Sequence, residues 1–153
     1  MEKSVLFVCT GNTCRSPLAE AWFNKRAAEC GLNGWIGKSA GLFASAGAAA
    51  SENSRLAAAE QECSLDDFRS QMLTLPMIEE ASLIIGVTND HCRKIVSAVP
   101  EAAGKCHALL EFSTGGGVSD PYGGTLEIYR QCFECMRPAI DNLIDMIKNN
   151  KIK

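Results

Sequence analysis

The sequence predicts an α/β protein built on a doubly wound, four-stranded parallel sheet that is flanked by helices. Short apolar runs of strand length alternate with helical patterns along the chain. The runs are rich in Val, Leu and Ile, which is typical of strands covered on both faces. The length of 153 residues is near that of one domain with its own core, so we expect a single domain over residues 1–153.

The individual elements follow from local patterns. Ser16 followed by Pro17 predicts the start of the first helix, because a capping hydroxyl and a proline in the first turn are typical there. The Gly-rich segment 111–124 is expected to be a loop, with the glycines at 115–117 as its mobile part. Strands are expected at 4–9, 35–40, 82–88 and 106–110, and helices at 16–31, 52–63, 76–80, 89–99 and 125–150.

Composition excludes several classes of function. The net charge of −3 argues against nucleic acid as a partner, because phosphate contacts dominate such binding. No apolar run reaches membrane-spanning length, and the N-terminus lacks the pattern of a signal peptide. The eight cysteines are scattered, which favours free thiols in a reducing compartment. We therefore expect a cytoplasmic protein, and a monomer.

One cysteine pair resembles a metal or redox motif. Cys132 and Cys135 have the Cys-x-x-Cys spacing, but they fall within a helical pattern without a second pair or clustered histidines. We interpret them as ordinary helix positions and expect no metal.

The segment 9–16 combines the groups that phosphate chemistry needs. A loop between a strand and a helix presents unpaired N–H groups and the positive end of the helix dipole, which together form an anion site. Gly11 and Asn12 tolerate the left-handed backbone that lets such a loop curl. The same setting favours the thiolate form of Cys9, and Ser16 is expected to donate a hydrogen bond to it. Arg15 can bind two phosphoryl oxygens with its planar fork.

A proton donor for the leaving group is expected outside this loop. Asp120 precedes Pro121 in the Gly-rich segment just before the last helix, and it is the best candidate for the general acid. His91 and His107 lie after and within predicted strands, and we expect ordinary structural roles for both.

The chain resembles the low-molecular-weight protein phosphatases over nearly its whole length. Three segments carry the resemblance: Val8 to Glu20, Ser39-Ala-Gly41 and Asp120-Pro-Tyr122. The resemblance implies a two-step mechanism without a cofactor. Cys9 would form a phosphocysteine, while Asp120 would protonate the leaving group and then activate water. Cys14 would form a reversible disulfide with Cys9, which protects the nucleophile from deeper oxidation. The implied phosphate and substrate contacts are Thr10, Gly11, Asn12, Thr13, Cys14, Arg15, Ser16 and Tyr122.

Three features favour the protein-arginine phosphatase branch of this family. Tyrosine-specific members usually carry an aliphatic residue where this chain has Thr13, and a tryptophan soon after the Ser-Ala-Gly segment, which is absent here. Asp120-Pro-Tyr-Gly-Gly124 also resembles the arginine branch. A threonine near the phosphorus suits a planar, cationic guanidinium better than a phenyl ring. We therefore expect a phosphorylated protein as substrate, with phosphoarginine favoured over phosphotyrosine.

Three other functions compete with this interpretation. Thioredoxin-coupled arsenate reductases share the loop but need two further cysteines after the third strand, where only Cys92 lies. Phosphocysteine carriers of sugar transport do not need Arg15 and Asp120 for hydrolysis. A non-enzymatic anion-binding module would bind phosphate without turnover.

Overall fold

A computed structural model of the chain describes residues 2–113 and 120–152. Four parallel strands form one sheet in the order β2-β1-β3-β4. The strand order therefore reverses between β1 and β3, and ligands of doubly wound sheets bind at the carboxyl ends beside such a switch. The predicted fold class is confirmed. The strands are β1 (Lys3–Cys9), β2 (Trp35–Gly41), β3 (Leu83–Gly86) and β4 (Cys106–Ala108).

Five α-helices cover the sheet within the described residues. The predicted order of strands and helices is confirmed, although the third and fourth strands are shorter than expected. The chain leaves β4 in a 3₁₀ turn over Leu109–Phe112. The expected mobile glycines at 115–117 lie outside the described residues. The helices are α1 (Arg15–Glu29), α2 (Glu52–Glu60), α3 (Leu75–Glu80), α4 (Asn89–Ala98) and α5 (Leu126–Lys148).

Strand β1 is buried on both faces. Val5 and Phe7 pack into the cluster formed with α1 and α5, whereas Leu6 and Val8 pack into a second cluster with α3 and α4. This alternation follows from the period of two along a strand. The central strand is therefore held from both sides, and its carboxyl end at Cys9 is a rigid point from which a loop can start.

The start of α1 differs from the sequence expectation. The helix begins at Arg15, and its N-cap residue Cys14 makes no side-chain capping bond. Pro17 lies in the first turn, as expected, but Ser16 is already inside the helix and does not cap it. The Ser16 hydroxyl points instead toward Cys9, so the serine supports the loop and not the helix end.

The Cys-x-x-Cys pair lies on α5, as the sequence predicts. Cys132 is buried in the core beside Phe133 and Met136, and burial raises the pKa of the Cys132 thiol to about 12. A thiol in this environment behaves as a small core side chain. No described helix is both long enough and apolar enough to cross a membrane.

Candidate active site

The loop after β1 opens into a cavity of about 250 Å³. The cavity lies at the carboxyl end of β1, beside the reversal in strand order. The structure brings eight of the ten sequence-predicted site residues to its wall, while Asn12 and Ser16 lie behind the loop. The lining residues are Cys9, Thr10, Gly11, Thr13, Cys14, Arg15, Asp120 and Tyr122.

Cys9 lies at the buried end of this site, and the residue is only 3% exposed. The Ser16 hydroxyl oxygen is 2.8 Å from the sulfur, and the Asn12 backbone N–H donates to it at 3.3 Å. Two donors directed at one sulfur stabilise negative charge there.

The direction of the Ser16 bond is set by a buried network. The Asn12 side-chain amide donates to Ser16 Oγ at 2.8 Å and to Ser39 Oγ at 3.0 Å. Its oxygen accepts the Gln71 backbone N–H at 2.9 Å, which fixes which end of the amide donates. Because Ser16 Oγ accepts from Asn12, its own proton is available to the sulfur of Cys9.

The network ends at a half-buried carboxyl group. Ser39 Oγ donates to Glu20 Oε1 at 2.7 Å. Burial raises the pKa of Glu20, and the hydrogen bond from Ser39 partly opposes that shift. Sequence reasoning did not assign Glu20 or Ser39 a role, although both occur in the segments that carry the family resemblance. Gln71 donates its backbone N–H to Asn12 and its side-chain amide to the Ser39 carbonyl oxygen at 2.9 Å, and no residue pattern indicated either contact.

The curl of the loop depends on one left-handed residue and one close approach. Asn12 has φ 56°, whereas Gly11 lies outside the left-handed region, so the loop uses that tolerance at Asn12. Gly41, at the end of β2, is the position where the loop leaves no room for a side chain. A Cβ there would lie 2.7 Å from the Thr10 carbonyl oxygen. The Phe43 N–H then donates to the same oxygen at 2.9 Å and supports the loop from outside.

Arg15 and Asp120 meet across the cavity. Arg15 Nη2 is 3.7 Å from Asp120 Oδ2, and the arginine side chain is 7% exposed against 54% for the aspartate. The other carboxylate oxygen, Oδ1, accepts the Tyr122 backbone N–H at 3.1 Å. Tyr122 itself is 78% exposed at the mouth of the cavity. Residues more than a hundred positions apart in sequence thus combine a cation, a carboxylate and a thiol in one site.

His91 also reaches this loop, contrary to the sequence expectation of an ordinary role. The Thr88 backbone N–H donates to His91 Nδ1 at 3.1 Å, which leaves the ring proton on Nε2, 3.1 Å from Thr10 Oγ1. The ring is 4% exposed, and burial together with the Arg15 charge lowers the pKa of His91 to about 4. His91 is therefore a neutral donor to Thr10, the loop residue that follows Cys9.

Cys14 lies on the other side of the loop, against α5. Its sulfur is 3.3 Å from the Tyr129 hydroxyl and 3.8 Å from Ser51 Oγ. Burial and the contact with Cys14 raise the pKa of Tyr129 to about 12, so the phenol remains protonated. Cys9 and Cys14 are both free thiols, and the disulfide between them stays a prediction.

Comparison with known proteins identifies the family. The family model "Low molecular weight phosphotyrosine protein phosphatase" matches residues 4–153. The chain belongs to this family. It is 37% identical over 149 residues to the protein-arginine-phosphatase of Bacillus subtilis (strain 168), covering 96% of this chain and 98% of the relative. It is 34% identical to the low molecular weight protein-tyrosine-phosphatase PtpB of Staphylococcus haemolyticus, covering 91% of this chain and 96% of that protein.

Solved structures of the family superpose on the fold. The YwlE arginine phosphatase from Geobacillus stearothermophilus gives a TM-score of 0.87 at 35% identity, covering 97% of this chain and 95% of that one. A mutant of YwlE arginine phosphatase with a phosphorylated active site serine gives a TM-score of 0.90 at 36% identity, covering 97% of each chain.

Proposed function

We propose that this member of the low molecular weight phosphatase family hydrolyses phosphorylated arginine side chains of proteins through a phosphocysteine intermediate. The observation that supports the proposal is the meeting of Cys9, Arg15 and Asp120 around one cavity. A thiolate, a fixed cation and a carboxylate are the nucleophile, the oxyanion clamp and the acid that this reaction requires.

In the first step Cys9 Sγ attacks phosphorus while the bond to the leaving group breaks. The Arg15 guanidinium and the N–H groups of the loop hold the equatorial oxygens, where charge is greatest in the transition state. Asp120 gives its proton to the leaving nitrogen or oxygen.

In the second step water attacks the phosphocysteine, and the Asp120 carboxylate takes a proton from that water. Cys9 leaves as a thiolate, and the donors from Ser16 and Asn12 stabilise the returning charge. The buried network behind the loop keeps those donors in place, so no reorganisation is needed during turnover.

In this proposal, Thr13 determines which phosphorylated side chain the enzyme prefers. It is half-buried, it lines the cavity, and its carbonyl oxygen accepts the Ser51 N–H at 2.9 Å, which anchors its backbone. A hydroxyl at the wall can hydrogen-bond the guanidinium of phosphoarginine or the attacking water, which an aliphatic residue cannot do. The relatives named protein-arginine-phosphatase, at 37% and 35% identity, support the same choice.

Phosphotyrosine is the second candidate substrate. Two exposed aromatic rings, Tyr122 at the cavity and Phe43 beside the loop, offer surfaces on which a phenol ring could stack. The tyrosine phosphatases among the relatives support this alternative.

The deciding experiment compares kcat/KM for a phosphoarginine peptide and a phosphotyrosine peptide of the same sequence, in wild type, Thr13→Ile and Thr13→Ser. We expect wild type and Thr13→Ser to prefer phosphoarginine and Thr13→Ile to shift the ratio toward phosphotyrosine by about 10-fold or more. Cys9→Ser serves as the inactive control, since it removes the nucleophile. A wild-type preference for phosphotyrosine overturns the substrate assignment, and turnover by Cys9→Ser overturns the mechanism.

The proposal extends to regulation and setting. Cys14 is the redox partner of Cys9, and oxidation would close a disulfide that thiols can reopen. The enzyme is proposed to act in the cytoplasm as a monomer on phosphorylated proteins, without nucleic acid or a cofactor. The scattered reduced thiols and the net charge of −3 support this setting.

A further inference from the structure

A second pair of cysteines lies in contact away from the cavity wall. Cys92 on α4 and Cys106 at the start of β4 have their sulfur atoms 3.4 Å apart. Both are free thiols and half-buried, so a small oxidant can reach them. Neither belongs to the wall of the active-site cavity.

Tight packing of α4 on the sheet holds this pair together. A Cβ at Gly86, the last residue of β3, would lie 2.8 Å from the backbone nitrogen of Cys92, so the helix approaches the strand where there is no side chain. Parallel pairing of β3 with β4 sets Cys106 opposite Ile84. The Thr88 cap fixes the first turn of α4. The backbone on both sides of the pair is therefore positioned by regular structure.

We propose that Cys92 and Cys106 form a second oxidisable dithiol, which a peroxide converts to a disulfide between α4 and β4. The inference goes beyond the phosphatase reaction and does not depend on it.

The two thiols have different roles in this reaction. The hydrogen bond from Cys106 lowers the pKa of Cys92, whereas the neighbouring Cys92 and burial raise the pKa of Cys106. Cys92 also lies in the first turn of α4, where the positive end of the helix dipole favours a thiolate, so Cys92 attacks first and Cys106 is the resolving thiol.

The chemistry balances with hydrogen peroxide as the oxidant. Cys92 Sγ attacks one peroxide oxygen, the O–O bond breaks, and a sulfenic acid and hydroxide form. Cys106 Sγ then attacks the sulfenic sulfur, the S–O bond breaks, and the oxygen leaves as water. The two thiols lose two electrons in total, the peroxide gains them, and the two thiol protons end in two waters. The sulfurs must approach from 3.4 Å to a bond length of about 2 Å.

Peptide mapping tests the proposal on the full chain. Trypsin cleaves on both sides of each cysteine to give fragments 70–93 and 106–130, each with one cysteine. After treatment with stoichiometric hydrogen peroxide, we expect these two fragments linked, with two hydrogens lost and release by dithiothreitol. A peroxide-treated sample in which both fragments remain separate overturns the proposal.

Variants separate the two roles. In Cys106→Ser, a dimedone adduct should accumulate on Cys92, and in Cys92→Ser the thiol of Cys106 should stay unmodified. Cys135→Ser is the matched control, since Cys135 is also a half-buried free thiol, and it should leave the linked fragments unchanged. A dimedone adduct on Cys106 in place of Cys92 contradicts the assignment. Since mapping of wild type needs no variant, a variant that fails to fold does not remove the test.

Discussion

The two sides of the active-site cavity are built differently. The loop side is buried and held by hydrogen bonds. Asn12 and Ser16 are fully buried there and hydrogen-bonded to one another. The opposite side carries Asp120 and Tyr122, which are both exposed. Asp120 contacts the loop side through Arg15, at 3.7 Å. In the proposed reaction the loop side holds the negative charge in a preorganised site, while the opposite side is open to solvent and carries the proposed proton donor.

Because the two sides differ in this way, effects on turnover can be separated from effects on stability. A change on the exposed side should alter chemistry and spare the fold, because few buried groups depend on it. A change on the loop side should lower both turnover and stability, because each removed partner leaves buried polar groups unsatisfied. Three variants test the separation, in decreasing order of their effect on turnover.

Asp120→Asn is expected to have the largest effect. Without a proton donor, kcat should fall about 10²–10⁴-fold, and less for p-nitrophenyl phosphate than for phenyl phosphate, whose leaving group needs the proton more. The midpoint of urea unfolding should stay unchanged. Asp145→Asn, an exposed aspartate on α5, is the control and should retain full activity. A loss that is equal for both substrates would show that Asp120 is not the acid.

Asn12→Ala is expected to affect turnover and stability together. The change removes one hydrogen bond each from Ser16 and Ser39 and takes the acceptor from the Gln71 N–H, so the free energy of unfolding should fall by about 2–4 kcal/mol. We expect kcat to fall roughly 10–100-fold, because the Ser16 proton is no longer directed to sulfur.

Asn150→Ala is the matched control for the backbone. Asn150 is exposed at the end of α5 with φ 55°, close to the 56° of Asn12, so it measures the cost of alanine in left-handed backbone alone. Denaturant unfolding of both variants gives the difference due to the buried network. If the two variants lose the same stability, the network contributes nothing measurable.

His91→Gln is expected to have the smallest effect on turnover. Glutamine keeps a capping-box residue at this position of α4 but changes the contact with Thr10, so kcat/KM should fall about 2–10-fold. His107→Gln, on β4, removes the other histidine and should leave kcat/KM unchanged.

The pH dependence of stability gives an independent readout for His91. Burial and Arg15 lower its pKa to about 4, although Asp90 and Asp120 oppose the shift. Between pH 6.5 and 4 the unfolded chain binds a proton at this histidine that the folded chain does not. Stability should therefore fall as pH drops through this window, and the fall should be shallower in His91→Gln. Urea unfolding at several pH values gives the stability of both proteins. If stability depends on pH equally in wild type and in His91→Gln, the lowered pKa of His91 is contradicted.

Much of the molecule was predictable because its signals are local. The apolar run of β1, the helix-forming segment after it and the Cys9 to Arg15 spacing each lie within a few residues, and so they appear directly in the sequence. The family resemblance connected Asp120 to the loop, which spacing alone could not do. The sequence also marked Asn12 correctly, since a short polar side chain tolerates left-handed backbone.

Two predictions of local roles are wrong. Ser16 was predicted both to cap α1 and to hydrogen-bond Cys9, and its hydroxyl lies 2.8 Å from the Cys9 sulfur but does not cap the helix. His91 was predicted to be ordinary, yet β3 and α4 carry its ring to Thr10. Of the two loop residues expected to tolerate left-handed backbone, Asn12 adopts it and Gly11 does not.

The fold class and the reactive groups can be predicted from the sequence, since hydrophobic periodicity and the residues of one loop are local properties of the chain. The polar groups that complete the site depend on tertiary packing. Parallel strands bring their carboxyl ends to one edge of the sheet, so Ser39 and His91 meet the loop at positions that no spacing along the chain specifies. The same packing put Cys92 beside Cys106, because helix α4 approaches the sheet where Gly86 leaves room.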